Sequence, residues 1–219
     1  MNKSKSLCRV CNSIIQNIFD FGEMPIANNL MLMDNETYIK NEYKYNMKIG
    51  VCINCSSLQI INVPKKELMF NDRYAYFASE SKFMKNHFTK LGSKLMKLMN
   101  KEKDYILEIG CNDGIFLKSF ADNNYKHVGI DASENVVEVA KNDKVNAICK
   151  FFDEKTSLEI LHSYGKAKFV VITNTMHHIE NCQSVAKGIE TILDEDGILV
   201  IEDPYLLDMY KIGSIEQVY

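Results

Sequence analysis

The stretch Leu107-Glu-Ile-Gly-Cys-Asn-Asp-Gly114, with Gly129-Ile-Asp131 beyond it, decides the fold. An apolar run from Tyr105 to Leu107 ends in acidic Glu108 and then in two glycines four apart, Gly110 and Gly114. Such a strand-to-helix turn lets backbone approach a ligand with no Cβ in the way. A second apolar run, Val128 to Ile130, ends in Asp131, a carboxylate placed to take both hydroxyls of a ribose. Together these residues read as a site for an adenosine-containing cofactor.

Around this stretch, strands and helices are expected to alternate. Strands are predicted over 105–109, 126–130, 145–149, 169–173 and 198–201, with helices over 115–121, 133–142 and 183–193. That alternation predicts an α/β fold with a parallel sheet covered on both faces. The ligand then belongs beyond the carboxyl ends of the strands, at the switch point by the first of them. Upstream, Met84, Phe88, Leu91, Leu95 and Leu98 recur every three to four residues, an amphipathic helix begun by Ser79 or Ser81.

Spacing selects the cofactor. The dinucleotide fingerprint G-x-G-x-x-G makes room for a pyrophosphate at its second glycine, where this chain has Asn112. Glu108 would also put a negative charge near any phosphate. The pattern E-x-G-x-x-x-G instead resembles motif I of the class I methyltransferases. That resemblance implies S-adenosyl-L-methionine, whose sulfonium and ammonium groups suit an acidic, amide-rich pocket. Glu108, Gly110, Asn112, Gly114 and Asp131 are the expected cofactor-binding residues, joined by Asn174 after the fourth strand and by Phe152 against the adenine.

The amino-terminal third has a different character. Cys8-Arg-Val-Cys11 and Cys52-Ile-Asn-Cys55 are two C-x-x-C pairs, and each can bend around one ion. Four thiolates complete a tetrahedral Zn²⁺ site with no open position, which makes the metal structural. Residues 1–75 otherwise look loop-rich and short of core, so a staple is needed. Seven cysteines without a secretion signal point to a reducing, cytoplasmic compartment. No apolar run reaches about 18 residues, which argues against a transmembrane helix. The expected domains are a zinc unit at 1–75, a linking helix at 76–103 and a Rossmann-like cofactor domain at 104–219.

The formal charge of −3 is unevenly spread. Residues 1–100 hold 14 Lys and Arg against 8 Asp and Glu, while the remainder holds 12 against 21. The basic half could meet an anion such as a diphosphate or a nucleic acid. No basic and aromatic stripe supports nucleic acid, so that partner is not expected.

A four-cysteine unit, an aromatic link and E-I-G-x-N-D-G together are similar to a family of sugar C-methyltransferases. The resemblance runs through Met24-Pro-Ile-Ala-Asn-Asn29, Tyr74-Ala-Tyr-Phe-Ala-Ser79, Asn174-Thr-Met-His-His178-Ile and Ile201-Glu-Asp-Pro-Tyr-Leu-Leu-Asp208. It implies methyl transfer from S-adenosyl-L-methionine to a carbon of a nucleotide-linked 4-keto deoxysugar. It also implies catalytic roles for His178, which could polarise the sugar carbonyl, for Tyr76 in the sugar pocket, and for Tyr219. The bland alternatives are a surface or helix-cap histidine and a packing anchor in the link.

In the family a Tyr-His-Glu-His motif follows the fifth strand, and this sequence stops at the tyrosine of that run, Tyr219. The sheet is therefore expected to be incomplete after its fifth strand, leaving an edge open to self-association or to a downstream polypeptide. On that expectation the chain is inactive or partner-dependent by itself. The rival functions are a zinc-containing nucleic-acid (rRNA) methyltransferase and a non-catalytic cofactor-binding module of a split enzyme.

Overall fold

The scattered apolar runs before residue 65 form a three-stranded antiparallel sheet rather than the expected loop-rich unit. The computed structural model describes residues 6–27 and 42–214. Strand β1 (Ile15–Pro25) pairs with β2 (Lys44–Cys52), and β2 with β3 (Leu58–Ile60). Gly50 permits the close approach of β1, because a Cβ there would lie 2.3 Å from Ile15 Cγ2 and 2.8 Å from the Gln16 carbonyl oxygen. The ladder breaks twice in β1, and at the second break Gly22 turns at φ +72° with its N–H donated to Asp20 Oδ1. A helical turn, α1 (Lys66–Met69), follows. The buried cluster around the paired cysteines is small: Cys8, Ile15 and Cys52, with Cys11 and Ile61 packed on it. Ile26, Ile49 and Ile60 are buried elsewhere in the unit. Residues 177–183 and 204–214 belong with this unit.

The second unit, residues 70–176 and 184–203, is the predicted α/β layer. Ser81 caps helix α2 (Lys82–Met96) by accepting the Met84 N–H. Met84, Phe88, Leu91 and Leu95 join the core of this unit, so the helix is part of the cofactor domain and not a link, while Leu98 is exposed. Strand β4 (Tyr105–Ile109) is buried along its whole length. It is followed by α3 (Lys118–Asp122), β5 (Lys126–Asp131), α4 (Glu134–Asn142) and β6 (Ala147–Cys149). Then come α5 (Glu154–Tyr164), β7 (Ala167–Thr173), α6 (Cys182–Ile192) and β8 (Leu193–Glu202). All pairings in this sheet are parallel, in the order β6-β5-β4-β7-β8. The order reverses between β4 and β7, which puts the switch point at the motif that follows β4.

Helix α5 is absent from the sequence reading. Its buried face is Thr156, Ser157 and Ile160, with Leu158 exposed, so apolar periodicity does not mark it. Its true signal is the cap, Asp153, whose Oδ1 accepts the Thr156 N–H at 2.7 Å. Strand β8 pairs with β7 mainly from Ile198 onward, after an irregular stretch, and is the edge of the sheet among the described residues. Helix α7 (Leu206–Ile212) follows it. Among the described residues no helix is long and apolar enough to cross a membrane.

Candidate cofactor site and four-thiolate centre

The turn after β4 is built from left-handed residues: Gly110 at φ +76°, Asn112 at +48° and Gly114 at +80°. The N–H groups of Gly110 and Cys111 both donate to the Ile130 carbonyl, which ties the turn to β5. Asp131 holds it further: its Oδ2 accepts the Asn112 N–H and its Oδ1 the Ser133 N–H, each at 2.9 Å. The two glycines do not leave room for a ligand as the spacing suggested. A Cβ on Gly110 would fall 2.3 Å from Thr175 Oγ1, and one on Gly114 would fall 2.9 Å from Val145 Cγ2 and 3.0 Å from Ala140 Cβ. At both positions glycine serves the turn and close packing, and protein fills the missing side-chain space.

The electrostatics are those of a buried acidic cluster. Glu108 is buried at the end of β4, and its Oε2 has no hydrogen-bond partner among the described residues. Asp113 is equally buried, with Oδ1 unpartnered among them. Burial pushes the Glu108 carboxyl well above its ordinary range, and Asp131 and Asp113 add to the shift. Asp131 is also raised by desolvation, against the stabilising N–H groups of Ser133 and Asn112. No lysine or arginine pairs with these acids among the described residues. Three clustered carboxyl groups without a cation suit a ligand that brings positive charge, and they repel a pyrophosphate. The donor set therefore fits S-adenosyl-L-methionine, whose sulfonium and ammonium groups are cationic. Glu108 and Asp113 would hold the charged end, and Asp131 would hold the ribose.

Asn112 does not offer its side chain to that cluster. Its Oδ1 accepts the Ala78 N–H at 2.9 Å and its Nδ2 donates to the Tyr76 carbonyl at 3.1 Å. Asp113 Oδ2 takes the Ser79 N–H, and Asn135 Nδ2 donates to the Tyr74 carbonyl. Residues 74–79 are thereby strapped to the turn, while Tyr76 as a whole stays 48% exposed. Asn174 ends β7 at φ +50°, exposed, its N–H donated to the Glu202 carbonyl. Phe152 is buried, with Cε1 against the helix at Gly188, which leaves little ring surface for an adenine. Sequence reading missed Asp113 and Thr175, although both adjoin residues it chose. It also missed Glu202, whose Oε2 lies 2.7 Å from His87 Nε2.

In the first unit, Cys8, Cys11, Cys52 and Cys55 converge, with all four Sγ atoms within 4.8 Å of one another. Cys8 and Cys55 are 3.7 Å apart and Cys11 and Cys52 are 3.4 Å apart. A tetrahedron with Zn–S of about 2.3 Å has edges of about 3.8 Å, so the thiols are already set for the ion. The two pairs sit on matching knuckles. After each pair the chain turns through a left-handed residue, Asn12 at φ +58° and Ser56 at +59°. In each, the first cysteine donates its N–H five residues on, to Ser13 and to Ser57. Gln59 Nε2 donates to Cys8 Sγ at 3.0 Å, and the Val10 and Asn54 N–H groups point at Cys8 and Cys52 sulfurs. Hydrogen bonds from Ser13, backbone first, bring the Cys11 thiol down to about 5, while against the Ser57 backbone N–H desolvation and the other three sulfurs push Cys55 up to about 12, a proton that a metal has to displace.

His178 lies in this same unit, in a 3₁₀ turn (Met176–His178), and lines a cleft with Arg9 and Tyr45. Burial, with the neighbouring His177 ring, pushes its pKa down to about 3. Tyr219 lies outside the described residues.

Residues 82–217 match the family model described as "Methyltransferase domain", and residues 8–70 match the one described as "Putative zinc binding domain". The sheet and its switch-point turn are those of the class I methyltransferase fold, and the chain belongs to the methyltransferase-domain family. It is 27% identical over 214 residues to the C-methyltransferase NovU of Streptomyces niveus, covering 97% of this chain and 50% of that protein. The chain thus spans about half the length of the curated relative it matches. Among solved structures, the plantazolicin methyltransferase BpumL in complex with a pentazolic desmethylPZN analog and SAH shares 21% identity at a TM-score of 0.47. That match covers 64% of this chain and 55% of the other. DesVI of Streptomyces venezuelae shares 14% at 0.45, over 60% and 58% of the two chains.

Proposed function

We propose that the protein transfers a methyl group from S-adenosyl-L-methionine to a carbon of a nucleotide-linked keto-deoxysugar, in a reducing cytoplasm. The observation that carries this reading is the pairing of an acidic switch-point cluster with a four-thiolate unit, in a chain that aligns along 97% of its length with a C-methyltransferase.

The bound cofactor supplies an electrophilic methyl group on a cationic sulfur. The chain's residues hold and position it: Asp131 for the ribose, Glu108 and Asp113 for the cationic end, and the exposed Asn174 at the mouth. A ketone at C4 acidifies the hydrogen on C3, so removing that proton makes the carbon nucleophilic. With its pKa near 3, His178 is a neutral imidazole at pH 7. It therefore suits hydrogen bonding to the ketone oxygen and not proton abstraction. The exposure of Tyr76, on a backbone strapped by Asn112, supports a place in the sugar pocket.

The test is incubation with methyl-labelled S-adenosyl-L-methionine and a nucleotide-linked 4-keto-deoxysugar. Label on a sugar carbon is expected. Label only on oxygen or on RNA refutes the assignment, and so does an absence of transfer both by the chain alone and by the chain supplemented with the part of the relative that it does not span.

A further inference from the structure

Segment 74–79 is held by side chains of the turn after β4 and of the helix after β5. Asn112 takes the Ala78 N–H on Oδ1 at 2.9 Å and gives Nδ2 to the Tyr76 carbonyl at 3.1 Å. Asp113 Oδ2 accepts the Ser79 N–H at 2.9 Å, and Asn135 Nδ2 donates to the Tyr74 carbonyl at 2.8 Å. Downstream the segment runs through a 3₁₀ turn (Ala78–Glu80) into α2, whose inner face lies in the core. A residue of the cofactor motif, Asn112, thus spends its amide on the backbone around Tyr76.

The two oxygens of Asp113 differ. The residue is 2% exposed; Oδ2 holds the segment, while Oδ1 is buried with no partner among the described residues. A buried carboxylate oxygen without a donor is costly, and two routes relieve it. Water reaches it if residues 74–79 lift away, or the cationic end of the cofactor reaches it while they stay in place. Cofactor binding removes the reason for lifting and shifts the balance toward the closed form. We propose that Asn112, Asp113 and Asn135 are positioning residues that couple cofactor occupancy to the placement of Tyr76, so that the cofactor binds before the acceptor. The coupling rests on the proposed function for the seat of the cofactor and for the place of Tyr76 at the acceptor. By linkage the acceptor strengthens cofactor binding by the same factor.

The experiment is amide hydrogen exchange at Ala78 and Ser79, with and without saturating S-adenosylhomocysteine, which retains the ammonium group. Wild type is compared with Asn112→Gly, which tolerates the left-handed φ of +48° and lacks the amide. In wild type the ligand is expected to slow both amides by about ten-fold or more, the scale of satisfying one buried oxygen. In Asn112→Gly both should exchange about ten-fold faster, and the ligand should slow them by less than about three-fold. Calorimetry with a nucleotide-linked 4-keto-deoxysugar adds the acceptor: its affinity should rise about five-fold or more with S-adenosylhomocysteine in wild type and not in the variant. Equal slowing by ligand in both proteins, as a merely structural amide would give, overturns the inference. So does an absence of slowing in wild type that binds the ligand, or a sugar affinity indifferent to it. Slowing without any sugar binding supports the coupling of cofactor to segment and refutes the proposed substrate, so the two failures are distinct.

Discussion

The backbone N–H of Asn112 donates to Oδ2 of Asp131 at 2.9 Å, so the end of β5 holds the turn that follows β4. One carboxylate thus ties the turn after β4 to the start of the segment after β5. Replacing Asp131 with Ala removes the acceptor of two N–H groups as well as the proposed ribose contact. Calorimetry with S-adenosylhomocysteine should show a loss of about 1.5–3 kcal/mol, the scale of a hydrogen bond to a charged group. Asp131→Asn, which retains one acceptor, should lose less, and equal affinity in all three proteins would remove Asp131 from the site.

Glu108 sets stability against binding. Its folded pKa is raised, so its contribution to stability is fully present below the unfolded value and is lost as pH rises through the folded one. Glu108→Gln should therefore raise the thermal midpoint of the ligand-free protein near neutral pH and flatten its decline toward alkaline pH. The same change should weaken S-adenosyl-L-methionine, which needs the negative charge. A variant both less stable and unaltered in affinity contradicts the acidic-cluster account.

His178 acts in the opposite pH range. Its pKa falls from about 6.5 unfolded to about 3 folded, so the unfolded chain binds the extra proton between those values. Its contribution is complete above pH 6.5 and is lost as pH falls from there toward 3. Denaturant titrations at about pH 7 and about pH 5 should show the stability difference shrink in His178→Asn. An identical pH slope in wild type and variant would place the titration elsewhere.

Gly110 is constrained by Thr175. Gly110→Ala meets both the left-handed φ and the Thr175 side chain, and should cost about 1–3 kcal/mol in chemical unfolding. Thr175→Gly should restore part of that loss in the double variant and leave the φ penalty of about 1–2 kcal/mol. Strict additivity of the two changes would deny the contact.

The metal holds the first unit. About one zinc per chain is expected, and chelation or Cys52→Ser should release it and melt the three-stranded sheet. Limited proteolysis should then cut between residues 6 and 69, with the second unit intact. Protease resistance of residues 6–69 in fully chelated, reduced protein would show that the apolar core of this unit suffices without the ion.

Local chemistry was legible along the chain. The apolar runs ending in Glu108 and Asp131, the turn glycines and the paired cysteines each declare their geometry within a few residues, because strand period, left-handed turns and knuckle spacing are short-range properties. The parallel sheet and the cysteine quartet follow from them. Only the tertiary structure decided what surrounds those residues. Thr175 fills the space beside Gly110, and Ala78 claims the Asn112 amide; α2 joins the core instead of linking two domains. Helix α5 hides in the sequence because its buried face is hydroxylic, and β1 because its register shifts break the alternation. Arg9 and His178, far apart in the chain, share a cleft through long-range packing, which no local pattern encodes.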